Sequence, residues 1–189
     1  MPTTTWADCA ISPPRALIEM PGPKNLPETY RNVLGLRAVR DFDSRPLSDP
    51  DLHAILEAGR WTGSSKNRQA WSVIVVTDAD QKERLAGSGD FTDPLRRAPM
   101  AIALVQEGAG YEFDIGRLAQ NLMLAASAIG VATCPVTFHR QEEAARVLEI
   151  PEGKVCRYGV ALGYPAAEIR PSRMSGRKPL GEFAHWNSY

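Results

Sequence analysis

Val73-Ile74-Val75-Val76 is an unbroken β-branched run, and no other segment of the 189 residues constrains the fold as strongly. Branching at Cβ suits a pleated strand, and apolarity without alternation predicts a strand covered on both faces. Residues 71–77 are therefore read as a strand, and residues 99–106 and 155–162 repeat the same character. Between the last two, Ile115, Leu118, Leu122, Met123, Ala125 and Ile129 carry helical spacing over residues 113–129. These apolar positions are too many for one narrow stripe, which predicts a central, nearly surrounded helix.

Shorter helices frame this core. Pro27 and Glu28 suit a first helical turn, and Leu26, Tyr30, Val33 and Leu34 share a face before Gly35 ends the segment. Ser48 with Asp51 reads as a capping box, opening a helix with Leu52, Ile55 and Leu56 on one stripe that ends over residues 59–63. A further helix over 141–148 stops before Pro151, and the small apolar residues 130–137 read as a helix-to-strand connection. The expected architecture is a sheet of at least three strands with helices on both faces. Residues 1–24, rich in Pro and Thr, read as an extended or disordered arm, and residues 25–189 as one domain. From Tyr164 onward the chain is polar and punctuated by proline. A long tail without secondary structure is uncommon inside one compact subunit, which predicts a homodimer wrapped by its own tails.

Composition excludes several classes. With 22 basic and 22 acidic side chains the formal charge is zero, without the electrostatic footprint of a nucleic-acid binder. Cys9, Cys134 and Cys156 are odd in number and far apart, so neither a disulfide framework nor a metal site is expected. No apolar run reaches the ~18 residues of a membrane span. The reading is a reduced, cytoplasmic protein.

The motifs of side-chain catalysis are missing. Gln106-Glu107-Gly108-Ala109-Gly110 follows a strand and precedes a helix, but Phe113 occupies the place of the third glycine of a dinucleotide fingerprint. His53, His139 and His185 are scattered, and each reads as a surface or capping residue. No catalytic side chain is assigned.

Four segments carry a positive signal. Arg37 and Arg40 flank a helix end, where cations complement the dipole; they would equally grip a phosphate through bidentate guanidinium contacts. The loop Ser64-Ser65-Lys66-Asn67-Arg68-Gln69 offers hydroxyls and amides, or is a plain connector. Residues 130–137 and the basic tail residues Arg170, Arg173, Arg177 and Lys178 have equally ordinary structural readings.

Together, however, these segments resemble the nitroreductase family of flavoproteins. Leu36-Arg37-Ala38-Val39-Arg40-Asp41-Phe42 is similar to the family's opening Arg-Arg-Ser-x-Arg-x-Phe, and residues 64–71 to its Ser-x-Asn-x-Gln-Pro-Trp. Ala119-Gln120-Asn121-Leu122-Met123-Leu124-Ala125-Ala126, Ala161-Leu162-Gly163-Tyr164-Pro165 and Arg177-Lys178-Pro179-Leu180 continue the likeness in register across about residues 30–185.

The resemblance implies an α+β sandwich with a mostly antiparallel sheet and an intertwined homodimer with exchanged C-terminal tails. It implies FMN as cofactor, with NADH or NADPH passing two electrons to small oxidants such as nitroaromatics or quinones by a ping-pong mechanism. Carried over residue by residue, Arg37 holds the FMN phosphate with Arg177, and Arg40 approaches the N1/C2 edge of the ring. Ala38 and Val39 belong to the same turn. Ser64, Ser65 and Asn67 reach the ring and ribityl chain from the partner subunit. Pro135, Val136 and Thr137 line one ring face, with a backbone N–H of Thr137 or Phe138 towards N5. Leu36, Ala38 and Ala70 depart from the family's arginine, serine and proline, so phosphate binding leans on Arg37 and Arg177. The competing readings are a flavin-sequestering protein, a flavin-fragmenting or dehalogenating enzyme on the same fold, and a dimeric interaction protein whose flavin site has decayed.

Overall fold

The computed structural model describes residues 27–169 and 176–189. The N-terminal arm, Leu26, Cys9, Arg170 and Arg173 lie outside the described residues. Two compact units are distinguished: residues 29–170 form the larger, and the C-terminal segment from Pro171 belongs to the smaller.

The larger unit is built on a four-stranded sheet in the order β1-β2-β4-β3, formed by β1 (Trp71–Val76), β2 (Met100–Gln106), β3 (Ala132–Thr137) and β4 (Val155–Gly163). Every pairing is antiparallel. On one face lie α2 (Asp49–Arg60) and α5 (Glu112–Ala128); on the other lie α3 (Ala79–Ala86), α4 (Asp93–Arg97) and α6 (Gln141–Val147). The preceding α1 (Glu28–Gly35) buries no residue.

Strand β2 shows why continuous apolarity was needed. Met100, Ile102 and Leu104 enter the core under α2 and α5, whereas Ala101, Ala103 and Val105 enter the core under α3, α4 and α6. With period-2 alternation, both sets are withdrawn from water. The same double burial predicted for residues 71–77 is not found: only Val76 of β1 is fully buried, because β1 is an edge strand.

Three other expectations are corrected. Residues 130–137 are not a simple connection, since Ala132–Thr137 is the opposite edge strand β3. Pro135 masked it by lacking an N–H, a lack that only an edge strand tolerates. The central helix α5 is not surrounded within one chain. Ile115, Leu118, Leu122 and Ala126 are buried, while Phe113 and Ile129 at its ends are 76% and 41% exposed. Helices α3 and α4 were not anticipated, although Asp78 caps α3 by accepting from Gln81 N–H and Pro94 occupies the first turn of α4.

Local signals otherwise hold. Ser48 Oγ accepts from Asp51 N–H at 3.2 Å at the start of α2, and Tyr164 Oη donates to Asp51 Oδ2 at 2.5 Å. In the smaller unit, α7 (Leu180–Phe183) is a single helical turn. Leu180, Phe183, Trp186 and Tyr189 of that unit are all exposed. Among the described residues no helix is long and apolar enough to cross a membrane.

Candidate functional site

The open edge of β3 is where two predicted segments meet. Ala38 forms a parallel bridge with Thr133, and Val39 N–H donates to Thr133 O at 2.8 Å. The turn Arg37-Ala38-Val39-Arg40 is thereby laid along the start of β3, immediately after α5 ends. Strand alternation fixes which backbone groups are left over. Phe138 N–H donates to Arg157 O at 2.8 Å, so the pair Thr137↔Tyr158 next to it is the non-hydrogen-bonded type. Thr133, Pro135 and Thr137 therefore direct their backbone groups away from β4. Thr133 uses its carbonyl for Val39, Pro135 has no N–H to leave unpaired, and the Thr137 N–H faces outward. Of the two donors considered for flavin N5, Phe138 is committed to the sheet and Thr137 is the one at the edge.

One of the two roles considered for Arg37 is seen directly. Its Nη1 donates to Leu34 O at 2.8 Å and to Leu36 O at 2.9 Å, closing the end of α1. Its Nε is buried and has no hydrogen-bond partner. An orphaned buried donor on a cation fits an anionic oxygen such as a phosphate's. Arg40 is exposed and, among the described residues, makes no hydrogen bond or ion pair. Burial pushes the Cys134 thiol up from its ordinary value, and the Arg40 charge pulls in the opposite direction. Val136 and Cys134 point into the core under α3, α4 and α6, Pro135 is exposed, and Thr137 is half-buried.

The second predicted segment sits elsewhere. Residues Ser65–Asn67 form a 3-10 turn ahead of β1, with Ser64 Oγ accepting from Gln69 N–H at 2.9 Å. Lys66, Asn67 and Gln69 have φ of 53°, 52° and 49°, three non-glycine residues in the left-handed region within four positions. Such backbone costs roughly 1 kcal/mol per residue and gathers at binding sites. Arg68 Nη1 donates to the Tyr111 hydroxyl at 3.1 Å, and Arg117 Nη1 to Gly63 O at 2.7 Å. These contacts fasten the loop to the N-terminal end of α5. The Arg37–Arg40 turn lies at the C-terminal end of the same helix, whose 17 residues span about 25 Å at 1.5 Å per residue. The strand order agrees, because β1 and β3 are opposite edges. One chain does not bring the two segments together.

The remaining predicted residue, Arg177, lies in the smaller unit, where its Nη1 donates to Gly176 O at 3.1 Å. Across from Thr137, the Tyr158 hydroxyl is hydrogen-bonded to Glu112, which also pairs with Arg157 at 2.9 Å. These residues border a cavity of about 180 Å³ with Gln106, Gln141 and Ile115. A volume below about 300 Å³ is small for a cofactor pocket. The sequence reading also missed Gly89. A Cβ there would lie 2.5 Å from Thr137 O and 2.4 Å from Thr92 Cγ2, so only glycine lets this loop close onto the strand end.

A helix–sheet–helix sandwich with a cation-bearing, half-open strand edge defines an α+β protein with its candidate site at the rim. The profile of the Nitroreductase family matches residues 34–88 and 92–164, and the chain belongs to that family. It is 26% identical over 183 residues to the NADPH-flavin oxidoreductase of Vibrio harveyi, covering 85% of this chain and 74% of that protein. The oxygen-insensitive NADPH nitroreductase of Salmonella typhimurium gives the same identity over 183 residues, with the same 85% and 74% coverage. Among solved structures, an FMN-dependent nitroreductase from Clostridium difficile R20291 superposes with a TM-score of 0.76 at 20% identity, over 85% of this chain and 99% of that one.

Proposed function

We propose that two copies of this chain build each FMN site together, the Arg37–Arg40 turn and β3 edge coming from one and the Ser64–Asn67 loop from the other. The protein is an FMN-dependent NAD(P)H oxidoreductase of the nitroreductase family. The observation that carries the shared site is the separation of its halves by the length of α5. Two copies facing each other across antiparallel α5 helices bring the N-terminal end of one against the C-terminal end of the other. The surface this would bury is apolar: Tyr30, Val33 and Leu34 of α1 are 49%, 50% and 54% exposed, and Asn32 Nδ2 ties α1 to Leu124 O of α5 at 3.0 Å. The exposed Leu180, Phe183 and Trp186 suit a tail exchanged between subunits.

In this arrangement Arg37 holds the phosphate through its unpartnered Nε, joined by Arg177 of the tail. Arg40 stands beside the ring as an uncompensated cation, which favours the anionic reduced state. Ala38 and Val39 set the height of the turn. Pro135 and Thr137 support one ring face, with Val136 behind them in the core, and the outward Thr137 N–H is the donor for N5. Ser64, Ser65 and Asn67 supply polar contacts from the partner. FMN when bound supplies the two-electron chemistry; the chain's residues bind, orient and polarise it. NAD(P)H and a small oxidant, such as a nitroaromatic or a quinone, then use the site in turn, which is a ping-pong sequence. The free, buried Cys134 and Cys156 suit a reducing compartment, and we place the protein in the cytoplasm.

The visible spectrum tests the reading. Purified protein is expected to be yellow, or to become so on adding FMN, and to bleach with NADH or NADPH in the absence of oxygen. A protein that takes up no FMN contradicts it.

A further inference from the structure

We infer that Phe91 and His139 form the outer wall of the oxidant site, Phe91 packing a planar conjugated oxidant and His139 donating a hydrogen bond to its reducible oxygen. This rests on the reading of the β3 edge as the flavin edge.

Phe91 is 83% exposed on the loop between α3 and α4. A phenylalanine in that position withdraws little apolar surface from water, so its ring remains available for contact. The loop that presents it is nevertheless pinned. Thr92, 2% exposed, donates from Oγ1 to Ala86 O at 2.6 Å, with Gly89 O 2.9 Å from the same hydroxyl. Arg140 donates to Asp90 Oδ1 at 2.7 Å and to Gly87 O at 2.7 Å, and Arg140 N–H to Ser88 O at 2.9 Å. An aromatic ring presented on a pinned loop is placed for stacking, because little loop entropy is lost on binding.

Its position is set by the same contacts. Gly89 packs on the carbonyl of Thr137, the residue whose N–H faces the open edge. His139 follows Thr137 by two residues, a reach of about 7 Å. The Phe91 and His139 rings meet edge to face, with centroids 6.3 Å apart and planes at 70°. They make a corner: a flat ring can lie on Phe91 while its substituent meets the imidazole. The polarity of that imidazole is also fixed. His139 Nδ1 accepts from Asp90 N–H at 3.2 Å, which leaves Nε2 as the nitrogen that carries N–H. Nε2–H is a donor, matched to the oxygen of a nitro group or a quinone carbonyl and not to a cationic or donor substituent.

The test is binding to the oxidised holoenzyme, where no turnover occurs, read from the flavin difference spectrum with 4-nitrobenzamide. Phe91→Ala is expected to raise the Kd about fivefold and Phe91→Trp to restore it. Nitrocyclohexane, which cannot stack, is expected to bind Phe91→Ala and the parent protein alike. His139→Leu is expected to raise the Kd for 4-nitrobenzamide about fivefold, with His139→Gln, which keeps a donor, intermediate. FMN affinity is measured in parallel. Normal FMN uptake with an unchanged 4-nitrobenzamide Kd in Phe91→Ala and His139→Leu overturns this inference alone. Failure of the parent protein to take up FMN overturns it together with the flavin site.

Discussion

Val39 donates its backbone N–H to the carbonyl of Thr133 at 2.8 Å, and this bond joins two segments 94 residues apart into one surface. It places a turn with two arginines against the outer edge of β3, the side that the sheet leaves open. Its position at the C-terminal end of α5, far from the Ser64–Asn67 loop, is the ground for the proposed site shared by two chains.

Arg37 carries the phosphate in this account. Arg37→Ala is expected to weaken FMN binding about 10- to 150-fold, the range for losing a charge-assisted hydrogen bond of about 1.5–3 kcal/mol. Arg37→Lys keeps the charge without the planar fork and should fall between. Fluorescence titration of the apoprotein with FMN measures this, and an unchanged Kd for Arg37→Ala contradicts the phosphate assignment.

Neighbouring positions on β3 should respond oppositely to proline chemistry. Pro135 faces outward at the edge, so Pro135→Ala is expected to change stability by no more than about 1 kcal/mol. Val136 lies in the inward-bonded register with Gly159, and a proline there removes a ladder bond. Val136→Pro is expected to cost about 3 kcal/mol or more. Urea denaturation compares the two; equal losses would mean the edge has been assigned to the wrong residues.

Cys156 links stability to alkaline pH. Burial pushes its thiol from the ordinary 9.0 up to about 12. Between those values the unfolded chain releases the proton and the folded chain keeps it. The contribution is therefore complete below pH 9 and is lost as pH rises towards 12, at about 1.4 kcal/mol per unit. In Cys156→Ala the decline in unfolding free energy between pH 9 and 11 should be shallower than in the parent. Identical slopes would show that the thiol is not protected.

Much of the fold was legible because its signals are local. The β-branched run at Val73, the Ser48 cap and the stripe of Ile115, Leu118 and Leu122 each act within a few residues. What escaped depends on tertiary placement. β3 was hidden because Pro135 is compatible with a strand only at an edge, and edge status belongs to the whole sheet. The exposed side of α5 escaped for a related reason, since apolar composition does not say whether a face meets its own chain or another. At the site, the resemblance selected Arg37, Arg40 and the Ser64–Asn67 loop. The orphaned Arg37 Nε, the left-handed Lys66, Asn67 and Gln69, and the contact of Gly89 with Thr137 have no linear signature. His139 looked like an isolated histidine in sequence; its link to Asp90 and Phe91 comes only from the loop packing on β3.

Subunit complementation tests the shared site most directly. Arg37→Ala and Asn67→Ala are each expected to lower FMN binding when alone. Unfolded together and refolded as a mixture, they should form mixed dimers in which one site carries both substitutions and the other carries neither. Random pairing then returns about a quarter of the sites to parental FMN affinity. A mixture that binds no more tightly than its components would contradict the account, because both residues would then serve a site within one chain.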